Sequence, residues 1–247
     1  MTRSSCTKHP YNEKYRIRED TRVLIVGTAP PPRFCKVPWS CEHVLDFDFF
    51  YGSGSNWMWG ILPDALNEPN ALPETLSAEH CKEKALQLLM RHKVWMRDVL
   101  ERIKRKDGSP PNSARDSDIQ PPADEDLTNF SDTIRTAPNL SAIATTSELA
   151  FKWMMQALRA ERIWPTNGKA ELNKWRQFMS GRVQPNTAKY WVEKHERPVL
   201  TLKPTFHSSD INCFILPSPS SRRAGLTLEC KTQVYKRVLD LGGASIA

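Results

Sequence analysis

The run Arg22-Val23-Leu24-Ile25-Val26 passes directly into Gly27-Thr28-Ala29-Pro30-Pro31-Pro32, and this junction constrains the fold more than any other segment. A short β-branched apolar run that stops at Gly and Pro reads as a buried parallel strand ending in a loop. Three consecutive prolines each fix φ and stiffen that loop. Ligands of open α/β sheets bind at the carboxyl ends of strands, so the 27–34 loop is a candidate site from its position alone.

The partners of that strand follow along the chain. Leu140 to Thr146 reads as a second strand, and Glu148 to Leu158 as a helix with Phe151, Met154, Met155 and Leu158 at core spacing. Val199–Leu202 and Cys213–Leu216 read as short strands, the latter ending in Pro217-Ser218-Pro219-Ser220-Ser221-Arg222-Arg223. A last helix spans Leu228 to Leu241. Residues 79–106 carry helical spacing through Ala85, Leu88, Leu89, Trp95, Val99, Leu100 and Ile103. Strands alternating with helices predict an α/β fold with a mostly parallel sheet. Residues 1–20 read as a flexible polar arm, leaving 21–247 as a single domain.

Composition removes several classes. The chain has 247 residues with 8 Trp and 9 Phe, too aromatic for a wholly disordered protein. No stretch approaches the roughly 18 apolar residues of a membrane helix. The charged N-terminus is no secretory signal, so a cytoplasmic location is expected. The 6 cysteines contain no CxxC pair, so neither metal nor cofactor is expected, and the thiols read as reduced. The net charge of +7 admits a polyanion partner. It is unevenly spread. Residues 107–133 hold seven acids and one base, a Pro/Asp/Ser-rich stretch that composition reads as a loop or linker, whereas 91–106 hold seven bases and two acids.

Two strand-end loops, Gly27-Thr28-Ala29-Pro30 and Leu216-Pro217-Ser218-Pro219-Ser220, would open at the same sheet edge. Between them in sequence lies Tyr51-Gly52-Ser53-Gly54-Ser55-Asn56-Trp57-Met58-Trp59, a Gly/Ser turn between aromatic blocks. These three segments resemble the motifs of the uracil-DNA glycosylase superfamily, on its hypoxanthine-DNA and mismatch-specific uracil-DNA glycosylase side. Trp95-Met96-Arg97-Asp98-Val99-Leu100 is similar to the family's W-D-V-L helix, and Ser113 to Ile119 to its S-x-D-x-x-I segment. No single motif is specific; their order over residues 22–240 carries the resemblance.

The resemblance implies a three-layer α/β/α domain around a central, mostly parallel four-stranded sheet, with 107–133 packed beside the site. It implies a monofunctional DNA glycosylase that flips a base out of a duplex and hydrolyses its glycosidic bond. It places Asn56 as the catalytic amide and Tyr51 as the ring that stacks on the base. Gly27, Thr28, Ala29 and Pro30 line the base pocket. Ser218, Ser220, Ser221, Arg222 and Arg223 contact DNA. The partner is a duplex with one flipped nucleotide, and the protein acts as a monomer, nucleoid-associated if bacterial. Each residue also has an ordinary alternative: Tyr51 as core, Asn56 as a helix cap, 218–221 as a Pro-Ser turn, the arginines as solvated charge.

Two departures from the family matter. Ala29 stands where one branch has Asn, so Asn56 is left to carry the chemistry. Ser53-Gly54-Ser55 replaces a His-Pro-x triplet, which predicts a more open pocket wall, a looser loop and a base bulkier than uracil, such as a modified cytosine. Alternatives to repair are excision of modified cytosine from foreign DNA as defence, a non-catalytic reader of modified bases, or an unrelated nucleotide-binding α/β protein. The absence of GxxxxGK[ST] and GxGxxG loops weighs against the last.

Overall fold

The computed structural model describes residues 6–36, 38, 39, 41, 43, 45–72, 77–110, 113–163, 168–179, 192, 193, 195–220 and 226–244. The strands are β1 (Thr7–Lys8), β2 (Val23–Gly27), β3 (Val94–Asp98), β4 (Arg102–Ile103), β5 (Ala142–Thr145), β6 (Leu200–Leu202) and β7 (Ile211–Ile215). The helices are α1 (Met58–Ala65), α2 (Ala78–Arg91), α3 (Phe130–Thr136), α4 (Glu148–Ala160), α5 (Gly168–Met179) and α6 (Leu228–Leu241). A five-stranded sheet has the order β3-β2-β5-β7-β6, and β1 pairs with β4 in a separate antiparallel ribbon.

β3, β2, β5 and β7 are mutually parallel; β6 joins β7 antiparallel at the edge. A four-stranded sheet was expected and five strands are present: the segment likened to the family's W-D-V-L helix forms the parallel strand β3, and the Val199–Leu202 run is the antiparallel edge. Every residue of β2 and β5 is buried, as a central strand covered on both faces requires. α1 packs against α6, and α3 against α4. Right-handed crossovers send the β2-to-β3 connection and the β5-to-β7 connection to opposite faces, which gives three layers. The direction of winding therefore reverses between β2 and β5, and the crevice beyond their carboxyl ends is where such sheets hold ligands.

Sequence spacing misplaced one element. Helical periodicity was expected through 79–106, but α2 ends at Arg91 and residues 94–98 form β3. Lys93 takes a left-handed φ of 55°, which breaks the helix and turns the chain into the sheet. Val94, Trp95 and Met96 are apolar in a row because a buried strand needs no polar face.

The N-terminal segment is also corrected. Tyr11 and Asn12 are 1% exposed and His9 3%, so the described part of the supposed arm belongs to the packed body. The aromatic block holds it there: Tyr15 meets Phe49 edge-on at 4.8 Å, and Tyr11 lies 5.3 Å from Phe50.

Candidate active site at the carboxyl edge of the sheet

The sheet ladder continues one residue beyond three strand ends. Val99 N donates to Gly27 O, Thr146 N to Val26 O, and Leu216 N to Thr145 O. These bonds align Asp98, Gly27, Thr146 and the 217–220 loop along one edge. The acidic segment reaches the same place: Thr28 Oγ1 donates to Asp116 Oδ2 at 3.1 Å, and Arg105 donates to Pro30 O at 3.3 Å. The 107–133 stretch is thus packed beside the site. Thr28 Oγ1 also lies 3.4 Å from Ser147 Oγ, whose oxygen caps α4 through Ala150 N. The Thr28 side chain is engaged within the fold, and Ala29 is partly buried while Pro30 is buried.

Tyr51 crosses the crevice between β2 and β5. Its hydroxyl lies 3.1 Å from Thr146 Oγ1. A Cβ built on Gly27 would stand 2.3 Å from that hydroxyl and 2.1 Å from Asp98 Oδ1, so only glycine fits there. Tyr51 adopts a φ of 54°, a left-handed backbone that a bulky residue rarely takes. The turn that imposes it is closed by Phe47 N to Gly52 O and Gly52 N to Phe49 O. Burial, joined by the Asp98 and Asp116 charges, pushes the Tyr51 phenol well above its ordinary range, so it stays protonated. The residue as a whole remains partly exposed.

Asn56 occupies the start of α1. Its Oδ1 accepts from Met58 N at 2.9 Å, so the side chain covers the first amide of α1 from one position before the cap residue Trp57. That bond orients the amide: the oxygen is spent on the helix, and Nδ2, without a bond to any described residue, is left to donate. The Asn56 backbone forms an antiparallel bridge with Ser220, and Trp57 N donates to Pro219 O at 2.9 Å. The two motif loops are therefore stitched together. Lys231, 1% exposed, fastens the seam: Nζ donates to Ser220 O at 2.9 Å and sits 4.6 Å above the Trp57 ring. Ser218 Oγ accepts from Ser220 N, a Pro-Ser turn, and both serines are half-buried. Ser221, Arg222 and Arg223 lie outside the described residues.

The 45–55 loop is pinned rather than loosened by its small residues. Arg33 forms a two-pronged ion pair with Asp46, through Nε at 2.7 Å and Nη2 at 3.1 Å, and also donates to Ser53 Oγ at 2.6 Å. Asp46 Oδ1 accepts from Gly54 N at 2.9 Å. A Cβ on Gly52 would meet Phe47 O at 2.0 Å, and one on Gly54 would meet Leu45 Cβ at 2.6 Å. Glycine stands at both places because the chain packs against itself.

The basic surplus at 91–106 is largely spent within the fold. Arg91 pairs with Glu68, Arg97 with Glu101, and Arg102 and Lys104 both with the buried Asp126. These partners lie far away in sequence or on the same strand end. Sequence reasoning also missed His9, Asp98, Thr146 and Lys231. Asp98 would have been visible had 94–98 been read as a strand, since it then stands at a carboxyl end.

Among the described residues no three His, Cys, Asp or Glu side chains gather as a metal site, and no helix is long and apolar enough to cross a membrane. No protein-family model and no curated protein matches the chain. One solved structure does, a solution structure of a "putative Uracil DNA glycosylase" from Methanosarcina acetivorans. It superposes with a TM-score of 0.50 at 18% identity, over 91% of this chain and 94% of that one.

The fold is uracil-DNA glycosylase-like. The likeness reaches across nearly all of both chains, so it concerns the whole sheet and its helices rather than one βαβ unit.

Proposed function

We propose that the protein is a monofunctional DNA glycosylase of the uracil-DNA glycosylase superfamily, on its hypoxanthine-DNA and mismatch-specific side. The observation that carries this reading is Asn56: its oxygen is fixed by Met58 N at 2.9 Å, which leaves the NH2 without a bond to a described residue and able to donate to a ligand. Breaking an N-glycosidic bond puts negative charge on the departing base. A donor held in place before the reaction lowers that barrier without reorganising, an effect worth about 10²–10³ in rate. A helix N-terminus behind the amide adds partial positive charge of the same sense.

The other roles follow from position. The Tyr51 ring stacks on the extruded base, worth about 1–3 kcal/mol. The backbone of Gly27–Pro30 forms the pocket floor. Ser218 and Ser220, with Ser221, Arg222 and Arg223, hold the phosphates flanking the flipped nucleotide, and the enzyme acts as a monomer in the compartment of the DNA. The short Ser53–Ser55 wall leaves room above it, with Gly54 and Ser55 exposed, and favours a base larger than uracil. Hydrolysis needs water and oriented donors, and neither metal nor cofactor enters.

The test compares wild type with Asn56→Asp on duplexes carrying uracil, hypoxanthine, 5-hydroxymethylcytosine or its glucosylated form. Asp keeps the cap but has no NH2. The expected outcome is unchanged thermal stability with cleavage of the preferred duplex lowered about 10²-fold or more. Full activity in Asn56→Asp refutes the assigned role of the amide.

A further inference from the structure

The Tyr51 crevice contains a carboxylate that none of the roles above uses. Asp98 ends β3 and is 5% exposed. Its Oδ2 accepts from His9 Nε2 at 2.9 Å. His9 Nδ1 accepts from two backbone amides, Tyr11 N at 3.1 Å and Asn12 N at 3.0 Å, which places the ring proton on Nε2. His9 therefore donates to Asp98 and cannot take its place as acceptor. Asn12 fixes the Asp98 backbone on both sides: Oδ1 accepts from Asp98 N at 3.0 Å, and Nδ2 donates to Asp98 O at 2.9 Å. Thr128 Oγ1 also donates to Asp98 O, at 2.8 Å.

The second carboxylate oxygen is different. The His9 bond goes to Oδ2 and no described residue donates to Oδ1, while the side chain keeps 7% of its surface open. It points at Gly27, close to the place where the Tyr51 hydroxyl also presses. The carboxylate is thus held through one oxygen and through its backbone, with the other oxygen beside Gly27 and Tyr51 at the carboxyl edge of the sheet.

We infer that Asp98 is the general base of the reaction and that His9 is its positioning residue. The inference rests on the glycosylase reading and supplies what Ala29 cannot, a group that accepts a proton from water. Asp98 Oδ1 accepts a hydrogen bond from a water facing the sugar. As the C1′–N bond breaks, the base leaves with the bonding electron pair, steadied by Asn56 Nδ2. The water oxygen bonds to C1′ and its proton passes to Asp98. That proton then returns through solvent to the base, so atoms and charge balance without any co-reactant. The N-terminal segment thereby becomes part of the catalytic machinery.

The experiment is single-turnover cleavage of the preferred duplex by Asp98→Asn, with binding to a duplex holding a non-cleavable abasic analogue and thermal unfolding measured alongside. The expected result is a rate loss of about 10²–10⁴-fold with cooperative unfolding and binding retained. Cleavage within about threefold of wild type overturns the assignment. If Asp98→Asn does not fold, His9 decides. His9→Gln retains a donor and should keep most of the rate, whereas His9→Leu should lose about tenfold or more in kcat at unchanged KM. A folded His9→Leu with wild-type kcat overturns the inference. A wild type inactive on every duplex overturns the glycosylase reading and this inference together, whereas an active wild type with an indifferent Asp98→Asn overturns this inference alone.

Discussion

Replacing glycine by alanine at two places should move stability in opposite directions, and the structure sets both signs. At Gly27 the new methyl would stand 2.1 Å from Asp98 Oδ1, 2.3 Å from the Tyr51 hydroxyl and 3.0 Å from Tyr51 Cζ. The carboxylate is held by His9 and the tyrosine by its turn, so neither moves cheaply. Overpacking of this kind costs about 1–3 kcal/mol. At Gly60, inside α1, a methyl would meet nothing within 4 Å. There alanine gains about 0.5–1 kcal/mol of helix propensity. For a chain of this size each kcal/mol moves Tm by about 2–4 °C. Differential scanning calorimetry should therefore show Gly27→Ala lowered by about 2–12 °C and Gly60→Ala raised by about 1–4 °C. Gly27→Ala should also lose cleavage, because the methyl displaces the tyrosine and carboxylate that shape the crevice. A Gly27→Ala protein with wild-type Tm would refute the close approach on which the site rests.

Removing Asp46 should expose how firmly the aromatic loop is anchored. Asp46→Ala leaves Arg33 largely buried without its carboxylate, and breaking such a pair costs about 3–5 kcal/mol, read as a shift of the urea midpoint; a loss below about 1 kcal/mol contradicts the pinned loop. Alkaline pH should weaken the fold. Burial pushes the Cys35 thiol up from its ordinary 9.0 to about 11, with the Arg105 charge opposing and Asp98 assisting. The unfolded chain loses this proton first, so this contribution is whole below pH 9.0 and is lost as pH rises towards about 11. Urea midpoints of wild type and Cys35→Ala across that window check it: the alkaline decline should be shallower in the variant.

The central strands were legible because a buried parallel strand advertises itself as an unbroken apolar run, and Val23–Val26 and Ala142–Thr145 do so. The α4 and α6 helices were legible through amphipathic spacing; the structure adds their Ser147 and Thr227 caps. β3 was not, because Val94, Trp95 and Met96 continue the apolar rhythm of α2 and only Lys93 breaks it. Polar composition hid the packing of residues 7–17, where His9 and Asn12 are buried as hydrogen-bonding posts rather than exposed. The same reason concealed part of the site. Tyr51 and Asn56 stand in a motif, but Asp98 and His9 lie 89 residues apart and meet only when the N-terminal segment folds over the end of β3. The dual nature of Asn56 was foreseen as a choice between cap and catalyst. The geometry commits the oxygen to Met58 N and leaves the amide nitrogen without a bond to a described residue; its use in chemistry is the proposal.

The central claim is that this sheet edge excises a base from DNA. It is tested most directly by incubating wild type and Asn56→Asp with end-labelled duplexes containing uracil, hypoxanthine, 5-hydroxymethylcytosine or glucosylated 5-hydroxymethylcytosine, then treating with alkali. The account predicts strand breaks at the modified position of at least one duplex with wild type, and their loss with Asn56→Asp. Intact strands throughout with folded wild-type protein, or equal breakage by both proteins, would contradict it.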